Sequence, residues 1–390
     1  MSSTTRYELI SADSHVLEPA DLFETRLPSG LRGRAPKLVS SDGVSVWEVD
    51  GVGAVPLPAS AVTGSGYDLH DGVSAGAAFD DVMPALYDPA ERVKAQYTDS
   101  VDAEVLYGYP YLWDAIKQSD DAELRLGCAQ AYNDWIAEFC SHAPDKLIGV
   151  GRIPTSGIEA AHDEMQRCVE DLGLKGFVLD AWPDDATGPT DPALDQIWEV
   201  ANASGSPVSF HFGVGNSRSA PAANIAAGLK PPAADAMLPL ASADVFGRFP
   251  DLRMVMAHAD AGWTLHWMEF LDNTYMRQRH LDLFKLPDPD VYPSEYMRRN
   301  FWFTVHQDRT AVTNRRMFGA DHLMWASHFP LDSSDWPDNR QQAMQVTDEA
   351  PTDDRHALLA GNVARLYRLP GYEKGFTDDE VGAFDQLVHF

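Results

Sequence analysis

The sequence predicts an eight-stranded parallel α/β barrel, a (β/α)8 TIM-like fold, and three observations carry that expectation. Short apolar runs alternate with helical segments along nearly the whole chain. The runs are apolar on both faces, which is the habit of strands covered by helices. Five of them, at 10–15, 207–211, 254–258, 301–306 and 323–328, end on a histidine. Parallel barrel strands open their carboxyl ends onto one mouth, so those imidazoles should meet there.

Each element follows in order. The first strand, 9–15, ends Asp13-Ser14-His15, and residues two apart on a strand share a face, so Asp13 and His15 project together. Between residues 40 and 82 the barrel rhythm breaks. Val44 to Val49 alternates, Asp50-Gly51 signals a turn, and Val52 to Leu57 reads as the returning strand. A Gly- and Ala-rich loop follows, so the segment is expected as a hairpin insertion over the mouth. A helix at 89–101 leads to a strand at 103–108, and a longer helical region at 114–142 leads to a strand at 147–154. A helix at 156–173 precedes the strand at 176–179, and Asp191-Pro192 opens the helix before the strand that ends at His211. Residues 212–234 are rich in Gly, Ala, Pro and Ser and read as a second irregular loop beside the mouth. Helices at 235–248 and 263–283 frame the strand 253–258, and strands at 301–306 and 322–328 complete eight. The chain reads as one barrel domain over 1–390, with a helical tail at 371–390.

Composition excludes several functions. The 390 residues carry 59 acidic against 30 basic side chains, a net charge of -29, which repels phosphate backbones and anionic membranes. No nucleic-acid or membrane partner is expected. The first eight residues lack an apolar signal core, and no run approaches the ~20 apolar residues that span a bilayer. Cys128, Cys140 and Cys168 are scattered, without a CxxC pair, as in a reducing compartment, so a cytoplasmic location is expected. The acidic surface and aromatic helices leave room for a homodimer.

One histidine at a strand end is more often a hydrogen-bonded structural residue than a ligand. Five at one mouth beside Asp13 are harder to explain that way, because buried imidazoles need partners and a divalent ion supplies one to several at once. Four ligands satisfy zinc, whereas Asp13, His15, His211, His258, His306 and His328 offer six, with Asp332 close behind as a further ligand or catalytic group. The excess favours two metals slightly over one. The alternative is a single metal with some of these groups, His258 first, serving as acid or base. Phe212, Trp263, Phe329 and Trp113 near the mouth suit an apolar substrate and equally suit barrel-top packing.

These motifs resemble the amidohydrolase-related family of metal-dependent (β/α)8 enzymes, which includes aminocarboxymuconate-semialdehyde decarboxylase. The resemblance lies in Asp13-Ser14-His15, His211-Phe212-Gly213 and His258-Ala259-Asp260-Ala261-Gly262-Trp263. It continues in Ala326-Ser327-His328-Phe329-Pro330, Trp336-Pro337 and the closing Gly361-Asn362-Val363-Ala364-Arg365-Leu366-Tyr367. Family members usually read Ala-Ser-Asp-Tyr-Pro-His at the eighth strand. Here His328 stands for the aspartate and Leu331 for the histidine, while the seventh strand brings an additional His306. An imidazole-rich site suits iron or manganese as well as zinc. In this the chain is similar to a small subgroup of non-haem dinuclear iron, or mixed manganese–iron, monooxygenases found in platensimycin-type diterpenoid antibiotic biosynthesis. That resemblance implies two irons on Asp13, His15, His211, His258, His306 and His328, with O₂, an apolar terpenoid-like substrate and an external electron donor. The runner-up is a mononuclear, zinc-type decarboxylase or hydrolase with Asp13, His15, His211 and His328 as ligands and His258 as acid/base.

Overall fold

The computed structural model describes residues 7–41, 43–64, 76–211, 233–281 and 283–376. His70, Phe212, Gly213, the core of both irregular loops and the end of the expected tail lie outside the described residues.

The barrel strands are β1 (Ile10–His15), β5 (Ala103–Tyr107), β6 with β7 (Leu147–Gly149 and Gly151–Arg152), β8 (Phe177–Val178), β9 (Val208–His211), β10 (Met254–Ala257), β11 (Phe301–Val305) and β12 (Leu323–Trp325). Every ladder between them is parallel. The circle closes where β12 returns to β1. There the His328 amide donates to the Asp13 carbonyl at 3.0 Å and the His15 amide to the Phe329 carbonyl at 2.6 Å.

Alternate residues fill the cylinder. Ile10, Ala12, Val105, Tyr107, Ile148, Val150, Val178, Val255, Ala257, Trp302 and Met324 form one buried cluster with Val363, Ala364 and Leu366. The helix Asn362–Leu366 thus plugs the amino-terminal end, and the open end is the one the histidines share. Burying each such aliphatic side chain stabilises the fold by roughly 1.5–3 kcal/mol. The interdigitated interior leaves the site a rigid floor.

The insertion is a three-stranded antiparallel sheet rather than a hairpin. β2 (Lys37–Ser41) pairs with β3 (Val44–Val49), which pairs with β4 (Gly53–Pro56). β2 was not expected, because its outward side chains are mostly polar and carry little strand pattern. The sheet sits over the mouth. Tyr109, just beyond β5, donates from its hydroxyl to the Pro56 carbonyl at 2.8 Å. Gly64 lies so close to Trp336 and Phe329 that an added Cβ would stand 2.7 and 3.0 Å from their rings. The expected helix at 114–142 is two, Pro110–Ile116 and Ala122–Ser141, because the Asp121 side chain accepts from the Leu124 amide and starts a new helix. Among the described residues, no helix is long and apolar enough to cross a membrane.

Candidate metal centre

β1 does not alternate cleanly, and this places the central carboxylate. Ile10 pairs with Ala103 and Ser11 with Glu104, yet Ser14 pairs with Leu106 and His15 with Tyr107, so one extra residue bulges from β1 between Ser11 and Ser14. A bulge re-aims side chains. Ile10 and Ala12 still face the interior, and beyond the bulge His15 does so too.

Asp13 is fully buried, and four imidazoles surround it. Its Oδ1 lies 3.2 Å from His15 Nε2 and 3.6 Å from His211 Nε2. Its Oδ2 lies 3.3 Å from His258 Nδ1 and 3.7 Å from His328 Nε2. One donor atom from each of Asp13, His15, His211 and His258 lies within 4.8 Å of all the others. His328 stacks on His258 at 3.9 Å between centroids, and His306 stacks on His328 at 4.9 Å. The structure therefore brings all five strand-end histidines to one mouth, with His306 furthest from Asp13.

The far ring nitrogens fix what the near ones present. His15 Nδ1 is 3.2 Å from the Gly108 carbonyl, an acceptor only, so that nitrogen carries the proton and Nε2 turns a lone pair toward Asp13. Among the described residues, neither oxygen of Asp13 has a hydrogen-bond donor in place. The same is true of His15 Nε2, His211 Nε2, His258 Nδ1 and His328 Nε2. Acceptors this close, buried and without donors, repel one another unless a cation lies among them. The donor set thus fits a divalent ion, with hard carboxylate and borderline imidazole ligands.

Protonation, taken without a cation, separates the imidazoles: His211 and His328 are held neutral, as ligands are, and His258 is not. Burial alone would push Asp13 up, but His211 and His15 outweigh it and hold its carboxyl well below the usual range. Burial pushes His211 down to about 4 against the pull of Asp13. Burial, reinforced by His258, also keeps His328 well below its ordinary value. His258 differs: burial lowers it, yet Asp13, Asp260 and Asp332 together raise it above the ordinary range.

Two ligand candidates sit on left-handed backbone, His258 at φ 56° and His328 at φ 55°. For non-glycine residues this costs about 1–3 kcal/mol each and persists only where the surroundings impose it. The His258 amide donates to Thr304 Oγ1 at 2.8 Å, and the Ala261 and Gly262 amides converge on Asp308 Oδ2 at 2.8 and 2.6 Å. These bonds pin the turn that points His258 back at Asp13.

Sequence reasoning missed three buried carboxylates. Asp335 Oδ2 stands 2.9 Å from His306 Nε2, whereas Asp332 is exposed and reaches His258 only through its field. Glu104 takes a bidentate pair from Arg92 at 2.7 and 2.9 Å, and Arg92 also donates to the His15 carbonyl at 2.7 Å. Glu18 accepts from Trp113 Nε1 at 2.7 Å, and burial, opposed by that bond and by Arg152, pushes it up to about 7. Glu18 and Asp335 lie in loops beyond strand ends, where no periodicity flags them. Of the expected mouth aromatics, Trp113 and Phe329 are buried packing residues, Phe329 beneath the Arg92 guanidinium at 4.6 Å, and Trp263 is half-buried.

The family model for amidohydrolases matches residues 80–369. The chain belongs to the amidohydrolase family. It is 26% identical over 304 residues to the 2-amino-3-carboxymuconate-6-semialdehyde decarboxylase of Dictyostelium discoideum, across 75% of this chain and 80% of that one. It is 23% identical over 281 residues to the gamma-resorcylate decarboxylase of a Rhizobium species, across 66% and 81%. The fold matches the crystal structure of 5-carboxyvanillate decarboxylase from Novosphingobium aromaticivorans, complexed with manganese and 4-hydroxy-3-methoxy-5-nitrobenzoic acid. There the TM-score is 0.65 at 16% identity, covering 95% of this chain and 98% of that one.

These findings correct the reading as a dinuclear iron monooxygenase of antibiotic biosynthesis. The two relatives named are decarboxylases and a third, from a Sphingobium species, is a hydratase; neither reaction consumes O₂ or electrons, so the expected O₂, external donor and terpenoid-like substrate fall with it. The expectation of two irons is overturned by the manganese of the matching structure. The geometry agrees: the compact donor group, Asp13 with His15, His211 and His258, is the size one ion bridges, while His306 turns to Asp335. Of the two imidazoles outside that group, His306 has a carboxylate partner that the sequence did not reveal, and His328 keeps its Nε2 3.7 Å from Asp13 Oδ2.

Proposed function

We propose that this member of the amidohydrolase family is a mononuclear, divalent-metal-dependent decarboxylase of a small acid whose carboxyl sits on an aromatic or alkenyl carbon. The observation that carries the reading is the convergence of imidazole nitrogens on Asp13, inside a family barrel whose relatives include decarboxylases of such acids. In this reading Asp13, His15, His211 and His258 hold the ion. When bound, it supplies positive charge that grips an anionic substrate oxygen and draws electron density from the reacting carbon.

The protein's residues do the rest. The C–CO₂ bond breaks, its electron pair stays on carbon, and the carbon takes up a proton as CO₂ leaves. His306 is placed to handle that proton. Its Nδ1 is 3.2 Å from the Ala326 carbonyl and so carries a hydrogen, while Nε2 faces Asp335 Oδ2 at 2.9 Å. Burial holds the imidazole down to about 4 against the pull of Asp335, so near neutral pH Nε2 is an acceptor through which a proton would pass at the rim of the metal centre. The antiparallel sheet over the mouth, with Phe329 and Trp336 beneath Gly64, excludes water from the carbanion-like carbon.

The test is CO₂ release by manganese-loaded protein, under strict anaerobiosis, from a panel of hydroxybenzoic and muconic-type acids. Turnover of at least one acid without O₂ supports the reading. No CO₂ from any of them, or product that forms only in air, overturns it.

A further inference from the structure

The seam between β12 and β1 is closed by three buried serines, and their hydroxyls can be assigned proton by proton. Ser11, Ser14 and Ser327 are 0, 0 and 1% exposed, so none of the three can turn to water. Ser11 Oγ donates to the Asp13 carbonyl at 2.9 Å. Ser14 Oγ donates to Ser11 Oγ at 2.8 Å, and the Ser327 amide donates to the same oxygen at 2.9 Å. Ser11 Oγ has then spent its one hydrogen and both lone pairs. The Ser327 hydroxyl hydrogen therefore goes to Ser14 Oγ, 2.9 Å away, and its 3.0 Å approach to Ser11 is contact alone. Ser327 Oγ in turn accepts the Phe329 amide at 3.2 Å. Every hydroxyl hydrogen is placed once.

This network grips the main chain at Asp13 and on either side of His328, at the Ser327 and Phe329 amides. The Asp13 carbonyl accepts both Ser11 Oγ and the His328 amide, which fills its two lone pairs. Asp13 itself lies in the bulge of β1, where regular ladder bonds to β5 are interrupted. The serines replace the missing ladder bonds from the other side.

We propose that Ser11 is the positioning residue of the metal centre: through the Asp13 carbonyl and the Ser327 amide it holds the bulge that aims the Asp13 carboxylate at the four imidazoles. Ser14 and Ser327 orient its hydroxyl. The proposal rests on the reading of Asp13 as the central ligand. It separates the serines by rank, since only Ser11 bonds directly to Asp13.

Manganese affinity of the purified, chelator-stripped protein, titrated with free Mn²⁺ and followed by the fall of its paramagnetic resonance signal, tests this. Melting temperatures of the metal-free variants are recorded alongside. Ser11→Ala should weaken manganese binding about 10- to 100-fold, as loss of a ligand-orienting hydrogen bond does. Ser14→Ala removes a hydroxyl from the same buried seam but no bond to Asp13, and should stay within about threefold of wild type. Ser11→Cys, which fills the space with a weak hydrogen-bonding group, should behave as Ser11→Ala does and serves if the alanine variant does not fold. Ser11→Thr, which keeps the hydroxyl, should retain affinity. Equal losses in the Ser11→Ala and Ser14→Ala proteins, tracking their melting temperatures, would show mere packing and overturn the proposal. So would an Ser11→Ala protein that binds manganese as wild type does. A wild-type protein that takes up no manganese overturns the metal reading itself.

Discussion

Glu18 offers a stability prediction whose size follows from one burial. The side chain is fully buried and accepts from Trp113 Nε1 and, at 3.3 Å, from the Tyr109 amide. Burial raises its pKa from 4.5 to about 7, the Trp113 bond and Arg152 opposing. A carboxyl whose folded pKa lies above its unfolded one binds its proton more tightly in the native state. It costs nothing below pH ~4.5, where both states are protonated, and the penalty grows until the folded group ionises near pH 7. Taking 1.36 kcal/mol per unit, the native state is destabilised by about 3 kcal/mol at pH 8 and about 1 kcal/mol at pH 5. Glu18→Gln keeps an acceptor for Trp113 and removes the titration. With ~2.1 cal/mol/K of unfolding entropy per residue, the variant should melt about 4 °C above wild type at pH 8 and about 1 °C above it at pH 5. Differential scanning calorimetry of both proteins at the two pH values reads this directly. An offset of the same size at both pH values would refute the reasoning, because a packing change does not titrate.

The remaining predictions concern the site and its supports. Asp335→Asn should lower kcat for CO₂ release at least tenfold while metal content, measured by plasma mass spectrometry, stays at the wild-type level, because Asp335 faces His306 rather than Asp13. Arg92→Met leaves Glu104 buried with only the Gln96 amide and no counter-cation, and should cost about 3–5 kcal/mol in urea unfolding. The double variant Arg92→Met with Glu104→Gln should recover most of that loss. Dialysis against a chelator should abolish CO₂ release, and Mn²⁺ added without O₂ should restore it.

Much of this centre could be read from the sequence because strand periodicity carries over long distances. Buried parallel strands are apolar throughout, so the polar residue that ends each one stands out. His15, His211, His258, His306 and His328 all reach the mouth for that reason. The pairing of Asp13 with His15 was also legible, though not the bulge beneath it, since an extra residue in a ladder depends on the partner strand Ala103–Tyr107. Asp332 and Asp335 could not be told apart, because both lie in one loop without a repeat and only the path of the chain buries the second. That loop also explains why the metal count was misjudged. The reaction was not legible, since a cluster of imidazoles around a carboxylate serves oxygenation and decarboxylation alike. The decarboxylase relatives separate the two.

Metal content of wild-type protein beside Asp13→Asn, both purified without chelator, tests the central claim most directly. A single Asp13-centred ion predicts about one equivalent of a divalent metal per chain in the wild type and less than about a tenth of that in the variant, since losing the carboxylate removes the only negative ligand of the compact group. Metal retained in full by Asp13→Asn, or two equivalents of iron in the wild type, would contradict it.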